Sequence, residues 1–201
     1  MTRPDASPAR TAAARDTLRT ALRATAVVLV FSLLVGGLTG PAQGALPGAV
    51  NPLANSAGGW SMLAFLGVWL SRARPPLGAV LGAVSFVAMV EAYGVVSLWR
   101  GYFLADPFTS MWTPIGLIAG PFIGVAAALV RHASRRWTIA GVAVLSVVLV
   151  AEGIYGLAFI SDTTSPAYWT LEVALGIGFL AAAVLRGRRV RVRAPAGGAR
   201  H

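Results

Sequence analysis

The sequence predicts an all-α fold: a polytopic membrane helix bundle of six transmembrane helices, N-in and C-in. Three observations carry that expectation. Charged residues are scarce, apolar residues are gathered into long runs, and almost every basic residue falls on one side of those runs. Hydrophobic residues make up 56% of the 201-residue chain and charged residues 12%, against about 25% charged in a soluble domain. The mean hydropathy is +0.70. The apolar runs are about 16–24 residues long, near the ~20 that a helix needs to cross ~30 Å of hydrocarbon. Barrel strands would be about half as long and would alternate.

The elements follow in order. Residues 1–23 form a basic N-tail carrying Arg3, Arg10, Arg15, Arg19 and Arg23, and its stretch Asp16–Arg23 is expected to run as helix into the membrane. The transmembrane domain covers 24–185, with spans at about 24–42, 54–70, 77–98, 111–130, 137–160 and 168–185. A basic C-tail, 186–201, closes the chain. The first run follows a basic stretch and so also fits a cleaved signal peptide. However, Gly40-Pro41-Ala42-Gln43-Gly44 is a poor small-residue cleavage site, and cleavage would leave five spans. The first helix is expected to be retained.

Orientation follows the arginine bias. The N-tail, the loop with Arg72 and Arg74, the loop with Arg131, Arg135 and Arg136, and the C-tail together hold sixteen of the seventeen basic residues. Only Arg100 lies on the other side, beside Asp106 and Asp162. Both tails are therefore expected in the cytoplasm of a plasma-membrane protein. All the basic residues are arginine, which with the Ala, Gly, Val and Pro usage points to a GC-rich, actinobacterial genome.

Several chemistries are excluded. There is no cysteine, so no disulfide, thiolate metal site or cysteine nucleophile. The two histidines are His132, in a basic loop, and His201, the last residue, which leaves no basis for a histidine metal site or triad. No metal and no cofactor are expected. The arginine-rich C-tail suits anionic lipid headgroups, although fixing topology explains it more simply. No aromatics interleave these arginines, so nucleic acid is not an expected partner despite a pI near 11.6. The expected partners are the lipid bilayer, a small-molecule ligand and, in the plainer alternative, another membrane protein.

The chain has three glutamates, Glu91, Glu152 and Glu172, all inside predicted spans. A charge at the bilayer centre costs roughly 2.5–3.5 kcal/mol on insertion scales, so such residues usually face a cavity and serve a function. Glu91 is 17 residues after Arg74, Glu152 is 16 after Arg136 and Glu172 is 14 before Arg186. At 1.5 Å per residue all three sit about 21–26 Å from the cytoplasmic arginines, at one level in the outer half. Turned toward one another they would form a carboxylate cluster. Close carboxylates in a low-dielectric site cannot all ionise, so the cluster would hold a proton, a metal cation or an organic cation. The plainer reading is that each glutamate is neutral or reaches the interface to cap a helix, and for Glu172 that reading weighs as much as function.

Other groups are expected at the same level. The first external loop, Gly40 to about Asn55, contains Gln43, Asn51 and Asn55 in a Gly/Pro-rich run that reads as irregular backbone and a lid. Trp60, Trp112, Tyr168 and Trp169 suit an aromatic belt, with Trp112 also a candidate ligand contact. Tyr155, three residues after Glu152, shares its helix face; Tyr93 points away from Glu91. Gly116, Gly120 and Gly124 form a small-residue ridge for internal helix packing. Offsetting the chain by 61 residues pairs Glu91 with Glu152 and Ser85 with Ser146, a weak internal repeat of a kind found in transporters.

The run Leu38-Thr39-Gly40, Gln43-Gly44, Leu46-Pro47-Gly48-Ala49, Asn51 and Leu53-Ala54-Asn55-Ser56, with the later Ile118-Ala119-Gly120-Pro121 and Gly124, resembles an actinobacterial family of small uncharacterised membrane proteins. The resemblance spans about residues 20–185, implies a membrane location and brings no activity. Three function classes are weighed. The favoured one is binding or transport of a small cationic or polar molecule; the overall plan looks like the substrate-binding subunits of vitamin uptake systems. Here Glu91, Glu152 and Glu172 would pair with a cationic group, Asn51, Asn55 and Tyr155 would hydrogen-bond it and Trp112 would stack on it. The second is an intramembrane enzyme similar to membrane terpene cyclases, with Glu91 or Glu152 as general acid and Tyr155 stabilising a cation. The third is an accessory or scaffold protein without a ligand.

Overall fold

A computed structural model of the protein describes residues 16–101 and 107–192, the side chains of 187–192 excepted. Asp106, the arginines before Asp16 and those after Val192 lie outside the described residues, as does His201.

The described residues form helices and no strand. They are α1 (Leu18–Ala45), α2 (Ala57–Ser71), α3 (Pro75–Trp99), α4 (Trp112–His132), α5 (Arg135–Phe159) and α6 (Pro166–Val192), with a short 3-10 turn at Asn51–Ala54 before α2. Five of the six are long and apolar enough to cross a membrane. The exception is α2, whose 15 residues extend about 22 Å, short of the ~30 Å of a hydrocarbon core.

Local chemistry sets the helix ends. Thr17 Oγ1 accepts the Thr20 N–H at 3.3 Å to start α1, and Ser56 Oγ accepts the Gly59 N–H at 2.9 Å to start α2. Two prolines, Pro75 and Pro76, open α3, where the missing N–H costs nothing. Arg72 ends α2 with φ +63°, the left-handed cap that lets the chain reverse into α3.

The predicted irregular backbone from Gly40 is corrected: α1 continues through Pro41 to Ala45. A proline near a helix end removes a single backbone bond, and the last carbonyls of α1 find other donors. Leu46 N–H reaches Ala42 O at 2.9 Å and Asn51 Nδ2 reaches Gln43 O at 2.6 Å, so two carbonyls of the final turn are satisfied. The irregular connection is confined to 46–56.

The short helix is the central one. α2 touches α1, α3, α4 and α5, while α6 packs along α5. Close approach of α3 and α4 depends on glycine. A Cβ on Gly120 would come within 2.6 Å of Ala83 Cα, and one on Gly78 within 2.8 Å of Gly124 O. The small-residue ridge thus lies in an internal seam, where backbones meet and dispersion contacts are gained along both helices. Between α1 and α3, Ser32 and Ser85 share a buried hydroxyl–hydroxyl bond of 2.8 Å.

The ends of the molecule differ in chemistry. At one end Asp16 Oδ2 accepts the Arg74 N–H at 3.1 Å, His132 Nε2 lies 2.9 Å from Arg72 O and the Arg131 guanidinium sits 4.7 Å over the Trp69 ring. The start of α1, the α2–α3 turn and the α4–α5 turn therefore meet there, bringing basic loops together. The opposite end holds the connections 46–56 and 160–165 and residues 107–111, and with them all three glutamates.

Candidate functional site

The site begins with a helix that starts inside the protein. The first turn of α2 lies against α5 and α6, seven residues short of the end of α5 at Phe159 and six past the start of α6 at Pro166, and its free N–H groups need acceptors. The sequence supplies acceptors from two places. Ser56, just before the helix, takes the Gly59 N–H. Glu152, on α5, takes the Ala57 N–H through Oε1 at 2.8 Å and the Gly58 N–H through Oε2. A carboxylate on a helix N-terminus also complements the helix dipole, an effect of about 0.3–1 kcal/mol at a surface and up to ~2 kcal/mol when partly buried. Glu152 thus holds the central helix in place.

Glu172, on α6, lies against the same turn. It is 1% exposed. A Cβ on Gly58 would overlap Glu172 Oε1 and stand 2.8 Å from Glu152 Oε2, so the two carboxyls face each other across a position that only glycine can fill. Tyr168, one helical turn before Glu172 on the same face, donates to Glu172 Oε1 at 3.3 Å and contacts Ser56 Oγ at 2.6 Å. The result is a continuous polar chain: Gly59 N–H, Ser56, Tyr168, Glu172, Glu152 and back to the N–H groups of Ala57 and Gly58. Glu172 Oε2 has no hydrogen-bond partner among the described residues.

Glu91 does not join this pair. Its Oε2 accepts the Phe108 N–H at 2.6 Å and its Oε1 the Thr113 hydroxyl at 2.7 Å. Phe108 has φ +64°, a strained conformation for a bulky residue, and the Glu91 bond fixes it. Glu91 and Glu152, paired by the internal offset of 61, thus play matching parts: each receives backbone N–H donors from the approach to, or first turn of, a neighbouring helix. The paired serines diverge. Ser85 bonds Ser32, whereas the buried Ser146 hydroxyl has no partner.

Tyr155 takes no part in the polar chain. It is 54% exposed, and its ring packs 5.1 Å from that of Phe159. The buried face of α5 runs through Leu145, Leu149, Gly153 and Gly156, and a residue three beyond Glu152 falls off its edge. The tyrosine of the site is Tyr168 instead. Its spacing of four before Glu172 was the sequence signal for that pairing; placing Tyr168 in an aromatic belt concealed it. Tyr168 and Trp169 are both buried, at 3% exposure, which corrects the belt expectation for them. Trp169 fills the space left by Gly156 and donates Nε1–H to Thr164 Oγ1 at 2.8 Å.

Beside the polar chain is a cavity of about 600 Å³ between α2, α3, α4 and α5. Trp60, Phe86, Tyr93, Trp112 and Phe122 supply aromatic wall, and Asn55, Ser56, Ser61 and Ser110 supply polar groups. Asn51 is not in the wall; it fastens the loop to Gln43. Tyr93 OH donates to Gln43 Oε1 at 3.3 Å, and Trp60 packs edge-on to Tyr93 with ring centroids 6.1 Å apart. The carboxyls stand one layer behind this wall. Val90 lines the cavity next to Glu91, and Ala57 lines it while its N–H is held by Glu152.

The sequence matches a family of unknown function (DUF6518) over residues 15–199, nearly the whole chain, and the protein belongs to that family. No curated protein matches it, and no solved structure does.

Proposed function

We propose that this member of the family is a plasma-membrane protein that crosses the bilayer six times with both termini in the cytoplasm, and that its aromatic cavity binds a small organic cation for recognition or transport. The basic residues clustered at one end support the orientation. α2, with the 3-10 turn and loop that precede it, makes the sixth crossing. Residues 24–185 then form the transmembrane domain between two basic tails, and the arginine-only base composition supports an actinobacterial source.

A single observation carries the ligand reading. The 600 Å³ cavity has Trp60, Tyr93 and Trp112 in its wall at the end of the molecule that holds all three glutamates. Aromatic faces attract a cation by about 0.5–1 kcal/mol when exposed and ~2 kcal/mol or more when desolvated. Carboxyls behind the wall add a field of the same preference, while Asn55 and Ser61 offer hydrogen bonds to a polar end. The general-acid alternative gains less support, because none of the glutamates lines the cavity.

The test uses choline and its neutral isostere 3,3-dimethylbutanol on the purified full-length protein, read by tryptophan fluorescence and thermal midpoint. Choline is expected to perturb both, to bind at least about fivefold more tightly than the alcohol, as ~1 kcal/mol of cation–π preference requires, and to lose affinity in Trp60→Leu and Trp112→Leu. Equal binding of the two probes would remove the cation preference. No response to either would remove the ligand reading and favour a scaffold. Because the chain has no cysteine, single cysteines placed at 5 and 162 test the topology, with only the second expected to react with an impermeant maleimide from outside.

A further inference from the structure

The geometry points to a proton-binding site at the junction of α2, α5 and α6: the Glu152–Glu172 pair holds one proton, carried by Glu172, beneath the first turn of α2. The inference does not depend on what occupies the neighbouring cavity.

The donors in contact with the two carboxyls are unequally shared. Each Glu152 oxygen receives a backbone N–H from the first turn of α2, an arrangement that complements a negative charge. Glu172 receives one long hydroxyl bond, from Tyr168, and its Oε2 receives none while fully buried. A second charge in this place would be desolvated, without donors and beside the charge on Glu152. Two ionised carboxyls so placed repel each other strongly in a low-dielectric interior. A proton on Glu172 removes the repulsion and leaves a single charge, on Glu152, against the donors of the α2 turn.

The hydroxyl chain has a matching sense. Tyr168 gives its one hydrogen to Glu172 Oε1, so in the Ser56–Tyr168 bond Ser56, which also accepts from Gly59 N–H, is the donor. The titratable groups that face Glu172 are Glu152 from α5 and Tyr168 from its own helix; α2 presents only Gly58 and backbone N–H groups. When the proton leaves, it passes to solvent, and the pair carries two charges against one helix N-terminus. That turn carries Ser56 and Ala57, which line the cavity.

The chain's small number of glutamates makes the test direct. Glu91, Glu152 and Glu172 are the only three, so labelling glutamate with ¹³C at the side-chain carboxyl yields three resonances from the full-length protein in nanodiscs. At neutral pH one resonance is expected at the protonated position. Glu172→Gln should delete the protonated one, and Glu91→Gln should leave it in place. On titration, the amide resonances of Ala57 and Gly58 should move together with the Glu172 signal in the wild type and stay fixed in Glu172→Gln. Three ionised carboxyls in the wild-type spectrum would overturn the proposal, whatever the variants do. A protonated signal that survives Glu172→Gln would overturn its assignment to Glu172.

Discussion

Replacing Ser56 by alanine should destabilise the protein out of proportion to the atom removed. Ser56 is buried, and its hydroxyl both accepts from Gly59 N–H at 2.9 Å and meets Tyr168 OH at 2.6 Å. Alanine leaves the N–H without its cap, a loss of typically ~1 kcal/mol. It also takes from the Tyr168 hydroxyl oxygen, in a dry interior, the hydrogen that it accepts, at about 1–3 kcal/mol. The sum is about 3 kcal/mol, or roughly a hundredfold in the folding equilibrium. Part of that cost belongs to Tyr168 and should vanish when its hydroxyl does. In a Tyr168→Phe background the same Ser56→Ala change should cost about 1–2 kcal/mol, leaving a coupling of ~1–2 kcal/mol between the two sites. Reversible unfolding in mixed micelles, followed by tryptophan fluorescence for the four proteins of the cycle, measures it. An identical cost in both backgrounds, or a single-variant loss under about 0.5 kcal/mol, would refute a shared bond between α2 and α6.

Three further outcomes are expected. Gly120→Val places a branched side chain where even a Cβ would stand 2.6 Å from Ala83 Cα; it should cost about 1–3 kcal/mol or more by overpacking, seen as a lowered thermal midpoint, while Gly178→Ala, with open space around it, should leave the midpoint unchanged. Glu91→Ala removes the acceptor for Phe108 N–H and Thr113 and should loosen the approach to α4, so that limited proteolysis at 107–111 accelerates while the α2–α5–α6 junction keeps its amide resonances. Ser32→Ala should cost about 0.6 kcal/mol and at most ~1.7 kcal/mol, the range for interhelical bonds in membranes. Adding Ser85→Ala to it should cost almost nothing more, as unfolding of the single and double variants would show.

The long elements were legible because each is determined by its own residues. Apolar runs bounded by arginine, proline or a capping side chain specify five long helices, and the Gly116–Gly120–Gly124 ridge specifies a close contact, since glycine at intervals of four leaves one smooth face whatever packs on it. The three glutamates also announced themselves, because an acid within an apolar run has few structural uses.

Tertiary packing decided the rest. Gly40 and Pro41 read as breakers of α1, yet donors from Leu46 and Asn51 sustain the helix to Ala45. Tyr155 was expected beside Glu152 from spacing along one helix, but the buried face of α5 lies elsewhere, and the tyrosine of the polar chain is Tyr168 of α6, bonded to Glu172. Glu91, Glu152 and Glu172 share a depth that the sequence supplies. Whether they share a neighbour depends on helix rotation and on which helices adjoin, and neither is encoded in the run of any single span. The central place of α2 is the clearest case. A short apolar helix can lie in the middle of a bundle only if its first turn finds acceptors, and while Ser56 is adjacent in the chain, Glu152 stands 95 residues away.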